Sequence, residues 1–351
     1  MQYFKSYKKE DVVALTRLRR FETKLGERME VAAQLSETHL AQAAAKFVVF
    51  GIPEDIGVKA NHGIGGTQTA WDAFVHAFLN MQSNDFFNGS EILLLGHFDF
   101  STLNQLVEAN AATLDEKTDA FRHAVQTIDT AVETVVKIIV AAGKIPVAIG
   151  GGHNNAYPLI KGTAKGLHQG GLIPMPQINC INLDAHTDYR AMEGRHSGNA
   201  FRYAEEDGYL QKYCVLGVQE SYLPQNVWLD IVNNPFVDLI TFEDIFIHEK
   251  QNFIQAAAHA AGFTDDNFVG VELDLDALSL VLSSAVTPSG LSALHARQYV
   301  SMMAAYAKPA YLHICEGAAE LSDGRTSHTT GKLIALLVAD FIKAMQVHGK
   351  A

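Results

Sequence analysis

Eight short apolar runs recur along the sequence, closed by turn residues and largely separated by stretches with helical spacing. They are Phe47 to Gly51, Glu91 to Leu95, Pro146 to Ile149, Gln177 to Leu183, Lys212 to Val218, Leu239 to Thr241, Asn267 to Leu275 and Pro309 to Cys315. Strands alternating with helices favour a parallel sheet covered on both faces, where sites form beyond the carboxyl ends of the strands. The expected fold class is therefore α/β. Trp71, Phe74, Phe78 and Leu79 fall at helical intervals, Asp119 to Gly143 reads as a long amphipathic helix closed by glycine, and further helices are expected near 293–307 and 326–346. Val12, Leu15, Leu18 and Phe21, also at helical spacing, make residues 11 to 45 one or two leading helices. No Pro/Ser-rich linker or internal repeat divides the chain, so a helical N-terminal extension over 1–45 and a single catalytic domain over 46–351 are expected.

Composition narrows the function classes. With 351 residues and 48% hydrophobic content the chain can bury a large core. A formal charge of −12 and the lack of a basic stripe argue against a nucleic-acid surface. No uninterrupted apolar stretch is long enough to span a membrane and no secretory signal is visible, so a soluble, cytoplasmic protein is expected. The three cysteines, Cys180, Cys214 and Cys315, each sit in strand-like runs and read as buried thiols.

Three strand ends carry metal-ligand side chains. Ile181 to Arg190 runs from an apolar strand into Asp184, His186 and Asp188, whose alternation presents them to one side of an extended chain. Asp274 and Asp276 repeat the spacing after Val271, with Glu272 deeper on the same face, and His153 follows Gly150-Gly151-Gly152. Acids inside an apolar strand are unfavourable unless paired or metal-bound. Four carboxylates and two imidazoles exceed one tetrahedral zinc, as in a single-zinc deacetylase, and suit two divalent ions with hard oxygen ligands, for which two Mn2+ are expected. Two such dications balance the acids and leave a bridging water able to ionise near neutral pH, which implies hydrolysis. The loop Glu54 to Gly66, with Gly57, Gly63, Gly65 and Gly66, has neither the P-loop nor the dinucleotide spacing, and is expected to serve close packing or to face substrate.

Gly150 to His153, Asn182 to Asp188 and Glu272 to Asp276 together resemble the three metal-binding signatures of the arginase, agmatinase and formiminoglutamase superfamily, the ureohydrolases. The resemblance spans roughly residues 47 to 345. It implies a three-layer αβα fold around an eight-stranded parallel sheet, a metal-bridging hydroxide as nucleophile, and a trimeric or hexameric homo-oligomer. It also implies that His153 and Asp188 are terminal ligands of one manganese, His186 and Asp276 of the other, with Asp184 and Asp274 bridging. Asp188 would pass a proton to the departing amine, and Glu316 would grip the cationic amidine or guanidine of substrate.

Particular residues resemble the formiminoglutamases, enzymes of histidine degradation. The loop reads Gly-Gly-Gly-His instead of Gly-Gly-Asp-His, and Arg190 replaces an asparagine. Within Ser197-Gly198-Asn199-Ala200-Phe201-Arg202, Phe201 stands where arginases place a proton-shuttling histidine. An arginine suits bidentate carboxylate binding, so Arg190, with Asn199, Arg202 or Arg195, is a candidate for holding a dicarboxylate, and His196 for replacing the shuttle. The expected reaction is hydrolysis of N-formimino-L-glutamate to L-glutamate and formamide. Urea release from arginine, agmatine or another guanidino compound, and a non-catalytic oligomer partner, are the alternatives. Ser279 and Leu280, and Gly317-Ala318-Ala319 after Glu316, depart from the family pattern.

Overall fold

All eight apolar runs form strands, and the N-terminal residues add two more. In the computed structural model, which describes residues 2–32, 34–110 and 113–348, the strands are β1 Phe4–Ser6, β2 Glu30–Val31, β3 Phe47–Gly51, β4 Ile92–Phe98, β5 Ile145–Ile149, β6 Ile178–Leu183, β7 Leu210–Val218, β8 Val237–Thr241, β9 Val269–Asp274 and β10 Pro309–Cys315. They form one ten-stranded sheet in the order β1-β4-β3-β5-β10-β9-β6-β7-β8, with β2 also paired to β4. The eight expected strands are parallel throughout.

The N-terminal segment differs from a purely helical extension. β1 runs antiparallel to β4, with Phe4 opposite Phe98, and β2 lies parallel to it, with Glu30 opposite Leu93. The intervening helices, Lys9–Leu15, Leu25–Arg28 and Glu37–Gln42, are short. Strands of two or three residues are too brief to display a readable alternation, which is why sequence periodicity shows only helices there. Val12, Leu25 and Met29 join the main core, so this segment packs as part of the sheet's flank.

Period-two alternation feeds two cores. Phe47, Val49, Val147, Ile149, Ile181, Leu183, Cys214 and Leu216 lie in one, while Val48, Phe50, Ala148, Cys180, Tyr213 and Val215 lie in the other. The first core is covered by Ala70–Leu79, Phe253–Phe263, Ala293–Tyr306 and Thr330–His348. The second is covered by Leu114–Ala141, Ala156–Gln169 and Ala200–Glu206. Three layers result. The long helix starts five residues before the expected Asp119, because Thr113 caps it and exchanges hydrogen bonds with Glu116. The three cysteines are free and buried, and among the described residues no helix is long and apolar enough to cross a membrane.

One glycine ties the sheet to the site above it. Gly270 pairs with Tyr311 across β9 and β10, and a Cβ added at Gly270 would meet the Tyr311 hydroxyl oxygen at 2.4 Å. Tyr311 in turn donates to Glu272 Oε1 at 2.6 Å. Gly270→Ala is expected to destabilise the protein by about 1–3 kcal/mol through overpacking, measured as a lower urea midpoint at fixed metal concentration.

Candidate metal centre and substrate cleft

The strands β5, β10, β9 and β6 are neighbours in the sheet, and their carboxyl ends deliver the charged residues to one place. His153 follows β5, Glu316 follows β10, Asp274 ends β9 and Asp276 follows it, and Asp184, His186 and Asp188 follow β6. His153 Nδ1 lies 3.2 Å from Asp184 Oδ2, 2.8 Å from Asp188 Oδ2 and 3.2 Å from Asp274 Oδ2. His186 Nδ1 lies 3.5 Å from Asp184 Oδ1 and 3.3 Å from Asp276 Oδ2. Among the described residues three groups have their donor atoms within 4.8 Å of one another: His153-His313-Cys315, and two that are joined through Asp184, His153-Asp184-Asp188-Asp274 and Asp184-His186-Asp276. Asp274 belongs only to the His153-Asp184-Asp188-Asp274 group, its Oδ1 accepting the Asp276 N–H at 2.8 Å.

This donor set fits a binuclear divalent metal centre. Asp276 Oδ1 is buried without a hydrogen-bond partner among the described residues, and His153 Nδ1, though 2.8 to 3.2 Å from three carboxylate oxygens, and Nε2, 3.4 Å from Glu272, make no well-aligned hydrogen bond, an unfavourable state that a bound cation relieves. Burial, and then the charge of Asp184, pushes Asp188 up to about 6. Burial, and then Asp276, pushes Glu316 up to about 8. So many carboxylates cannot all ionise together without positive charge beside them.

The backbone is bent to present these groups. Asp188 has φ +45° and Glu316 φ +60°, a left-handed conformation seldom adopted by a residue with a Cβ. Glu316 Oε1 accepts the His153 N–H at 2.8 Å. Gly150 and Gly151 turn the preceding loop with φ +90° and +77°.

Two buried acids that spacing alone did not assign support the ligands. Glu54 accepts from the N–H groups of Ile56, Gly57 and Gly152 and from Asn155 Nδ2, at 2.7 to 3.1 Å, and so fastens the turn that carries His153. An acid just after the Gly51-Ile52-Pro53 punctuation was its sequence signal. Glu272 lies with one oxygen 3.4 Å from His153 Nε2 and 2.6 Å from His313 Nδ1. Burial opposes its charge, but His313 and His153 hold its carboxyl down at about 2. Tyr222 stacks over His186, ring centroids 5.3 Å apart, and no sequence pattern announced it.

The ligand cluster opens into a cleft of about 530 Å3 whose lining includes Val58, Asn61, Arg190, Glu193, Tyr222 and Ser284 together with Asp188, Asp274, Asp276 and Glu316. Arg190 reaches this cleft, held by Asn61 Oδ1 at 2.9 Å and Glu193 Oε1 at 2.8 Å. The glycine loop is partly helical, over Ile56–Ala60, and contributes Val58, Asn61 and Gly63 to the wall.

Four other candidate residues are placed away from the cleft lining. Asn199 is buried and fully engaged, accepting from Arg195 and the His196 N–H and donating to the carbonyls of Ala191 and Gly194, so it fastens its loop and does not line the cleft. Arg202 pairs with Asp230 and lies 4.2 Å over the Tyr189 ring, outside the cleft. Arg195 forms a buried pair with Asp129 at 2.9 Å, between Tyr157 and Tyr203. His196 is buried behind the wall, and burial, then Arg190 and Arg122, lowers it to about 4. A neutral imidazole with both nitrogens engaged is poorly placed to carry protons to substrate. Phe201 is buried edge-on to His153, at 5.2 Å, behind the ligands.

Two outcomes follow from the cluster. Protons compete with cations for Asp188, so metal affinity should rise with pH through about 6, with proton release on binding, both readable by titration calorimetry in paired buffers. Glu272→Gln removes the charge beside His153 Nε2 and should weaken one of two bound metals about tenfold, checked by metal titration.

Residues 45–339 match the model of the arginase family. A formimidoylglutamase of Rhodococcus jostii is 28% identical over 304 residues, covering 83% of this chain and 84% of that protein. Alignments to further formimidoylglutamases span from 49% to 86% of their lengths. The structure of a Trypanosoma cruzi formiminoglutamase with Mn2+ superposes with a TM-score of 0.68 at 19% identity, covering 92% of this chain and 98% of that one. The Bacillus subtilis formimidoylglutamase gives 0.70 at 17% identity, covering 94% of each chain. The structural likeness establishes the fold, and the match over most of the sequence, with the paired ligand groups at the sheet's carboxyl ends, means that the chain belongs to the arginase family, hydrolases of C–N bonds in linear amidines.

Proposed function

We propose that this protein is a dimanganese hydrolase that cleaves N-formimino-L-glutamate to L-glutamate and formamide. The observation that carries the reading is a cleft lined both by acids able to hold two cations and by the Arg190 guanidinium. That pairing suits a substrate with an amidine at one end and carboxylates at the other. The 28% identity to a formimidoylglutamase supports the same substrate class.

His153, Asp184, His186, Asp188, Asp274 and Asp276 would hold two manganese ions, which would supply Lewis-acid polarisation and an acidified water. Glu316, anchored through Oε1 by the His153 N–H, presents its carboxylate to the amidinium N–H groups. Arg190, steadied by Asn61, pairs with a substrate carboxylate and fixes which end enters first. Asp188 takes the proton of the attacking water and hands it to the departing nitrogen as the C–N bond breaks, leaving an amine and formamide. On this reading the enzyme serves histidine degradation in the cytoplasm as a trimeric or hexameric homo-oligomer.

Manganese-loaded protein is expected to release formamide from N-formimino-L-glutamate faster than urea from arginine or agmatine, and the reverse ranking overturns the substrate assignment. Arg190→Gln should raise KM for the dicarboxylate about tenfold, as expected for losing a charge-assisted hydrogen bond, with a smaller effect on kcat. Elemental analysis after growth in manganese separates an enzyme, with about two ions per chain by the two-metal logic of the site, from a metal-free oligomer partner.

A further inference from the structure

Glu193 stands in the cleft wall with three donors gathered around one carboxylate oxygen. Its Oε1 lies 2.8 Å from Arg190 Nη2, 3.2 Å from His196 Nε2 and 3.5 Å from Arg122 Nη2. His196 Nδ1 accepts the Gly198 N–H at 3.1 Å, so its Nε2 carries the proton and donates to Glu193. The donors are held independently of that carboxylate. Arg190 Nη1 donates to Asn61 Oδ1, Arg122 Nη1 donates to the Glu193 backbone carbonyl at 2.6 Å, and Arg122 Nε donates to the Ala60 carbonyl at 3.4 Å.

This is a built anion subsite, and the chain's own carboxylate fills it. Arg190 and Glu193 have side-chain exposures of 46% and 40%, and ion pairs so exposed are weak and easily exchanged. We propose that Glu193 is an internal stand-in for a substrate carboxylate: it pairs with Arg190 in the free enzyme, and an incoming dicarboxylate displaces it. Glu193 then falls back on Arg122 and His196, which stay in reach. The inference rests on the reading of Arg190 as a carboxylate-binding residue. It makes Glu193 a specificity-determining residue, because a cationic ligand cannot replace it on Arg190 and meets its negative charge unaltered. Discrimination against a wrong partner then comes from the resident acid as well as from the arginine.

Binding of L-glutamate and of agmatine to the manganese-loaded protein, measured by titration calorimetry, tests this with Glu193→Gln and Arg190→Gln. Glu193→Gln should bind glutamate about three- to tenfold more tightly, as expected when a competing surface charge is removed, while agmatine binds no more tightly. Arg190→Gln should bind glutamate about tenfold more weakly. Glu193→Ala, at the same half-exposed position, repeats the comparison should the glutamine variant be unstable. Glutamate affinity unchanged in Arg190→Gln overturns the substrate reading and this proposal with it. Weakened binding in Arg190→Gln together with unchanged or weaker binding in both Glu193 variants overturns the proposal alone. Equal tightening of glutamate and agmatine also overturns it, since a stand-in carboxylate competes only with anions.

Discussion

The crowding of like charge at the carboxyl ends of β5, β10, β9 and β6 is the constraint to which the rest of the site answers. Asp184, Asp188, Asp274 and Asp276 are at most 9% exposed, and Glu272 and Glu316 lie beside them. Burial and mutual repulsion both oppose ionising such a set. The protein meets this with His153 amid Asp184, Asp188 and Asp274, with backbone N–H groups aimed at Asp184 and Asp274, and with donors too few to satisfy every oxygen. What remains unsatisfied is the affinity for divalent cations. Folding free energy and metal affinity therefore draw on the same interactions.

Much of this was legible in the sequence because it depends on short-range geometry. Alternation within Asp184 to Asp188 and again at Asp274 and Asp276 fixes which side chains share a face, and the punctuation after each apolar run marks where each strand ends. The eight parallel strands were readable for the same reason. Their order was not, since the adjacency of β5, β10, β9 and β6 depends on crossovers that no local pattern encodes. The family resemblance supplied what spacing alone could not, namely that strand ends so far apart in the chain meet.

The placements that spacing does not foresee share another cause. Arg190, Arg195, His196, Asn199 and Arg202 lie within thirteen residues of one another, and nothing local states which way a loop turns its side chains. Arg190 reaches the cleft, whereas Arg195 finds Asp129 in the long helix Leu114–Ala141 and Arg202 finds Asp230. Their partners are 66 and 28 residues away, so tertiary contacts decided among chemically equivalent candidates. The partners of Glu54 were hidden likewise, since its four donors come partly from a loop 98 residues further on.

The two small strands at the N-terminus have a consequence for how this molecule behaves among its own copies. β4 carries Ile92, Leu93, Leu94 and Leu95, all buried, and its outer hydrogen-bonding edge is where β1 and β2 attach. A bare strand of that composition is a template for recruiting a foreign strand. Phe4–Ser6 and Glu30–Val31 thus act as a stopper against aggregation, so a fusion tag or trimmed start that prevents Phe4–Ser6 from pairing would reduce solubility without touching the metal centre.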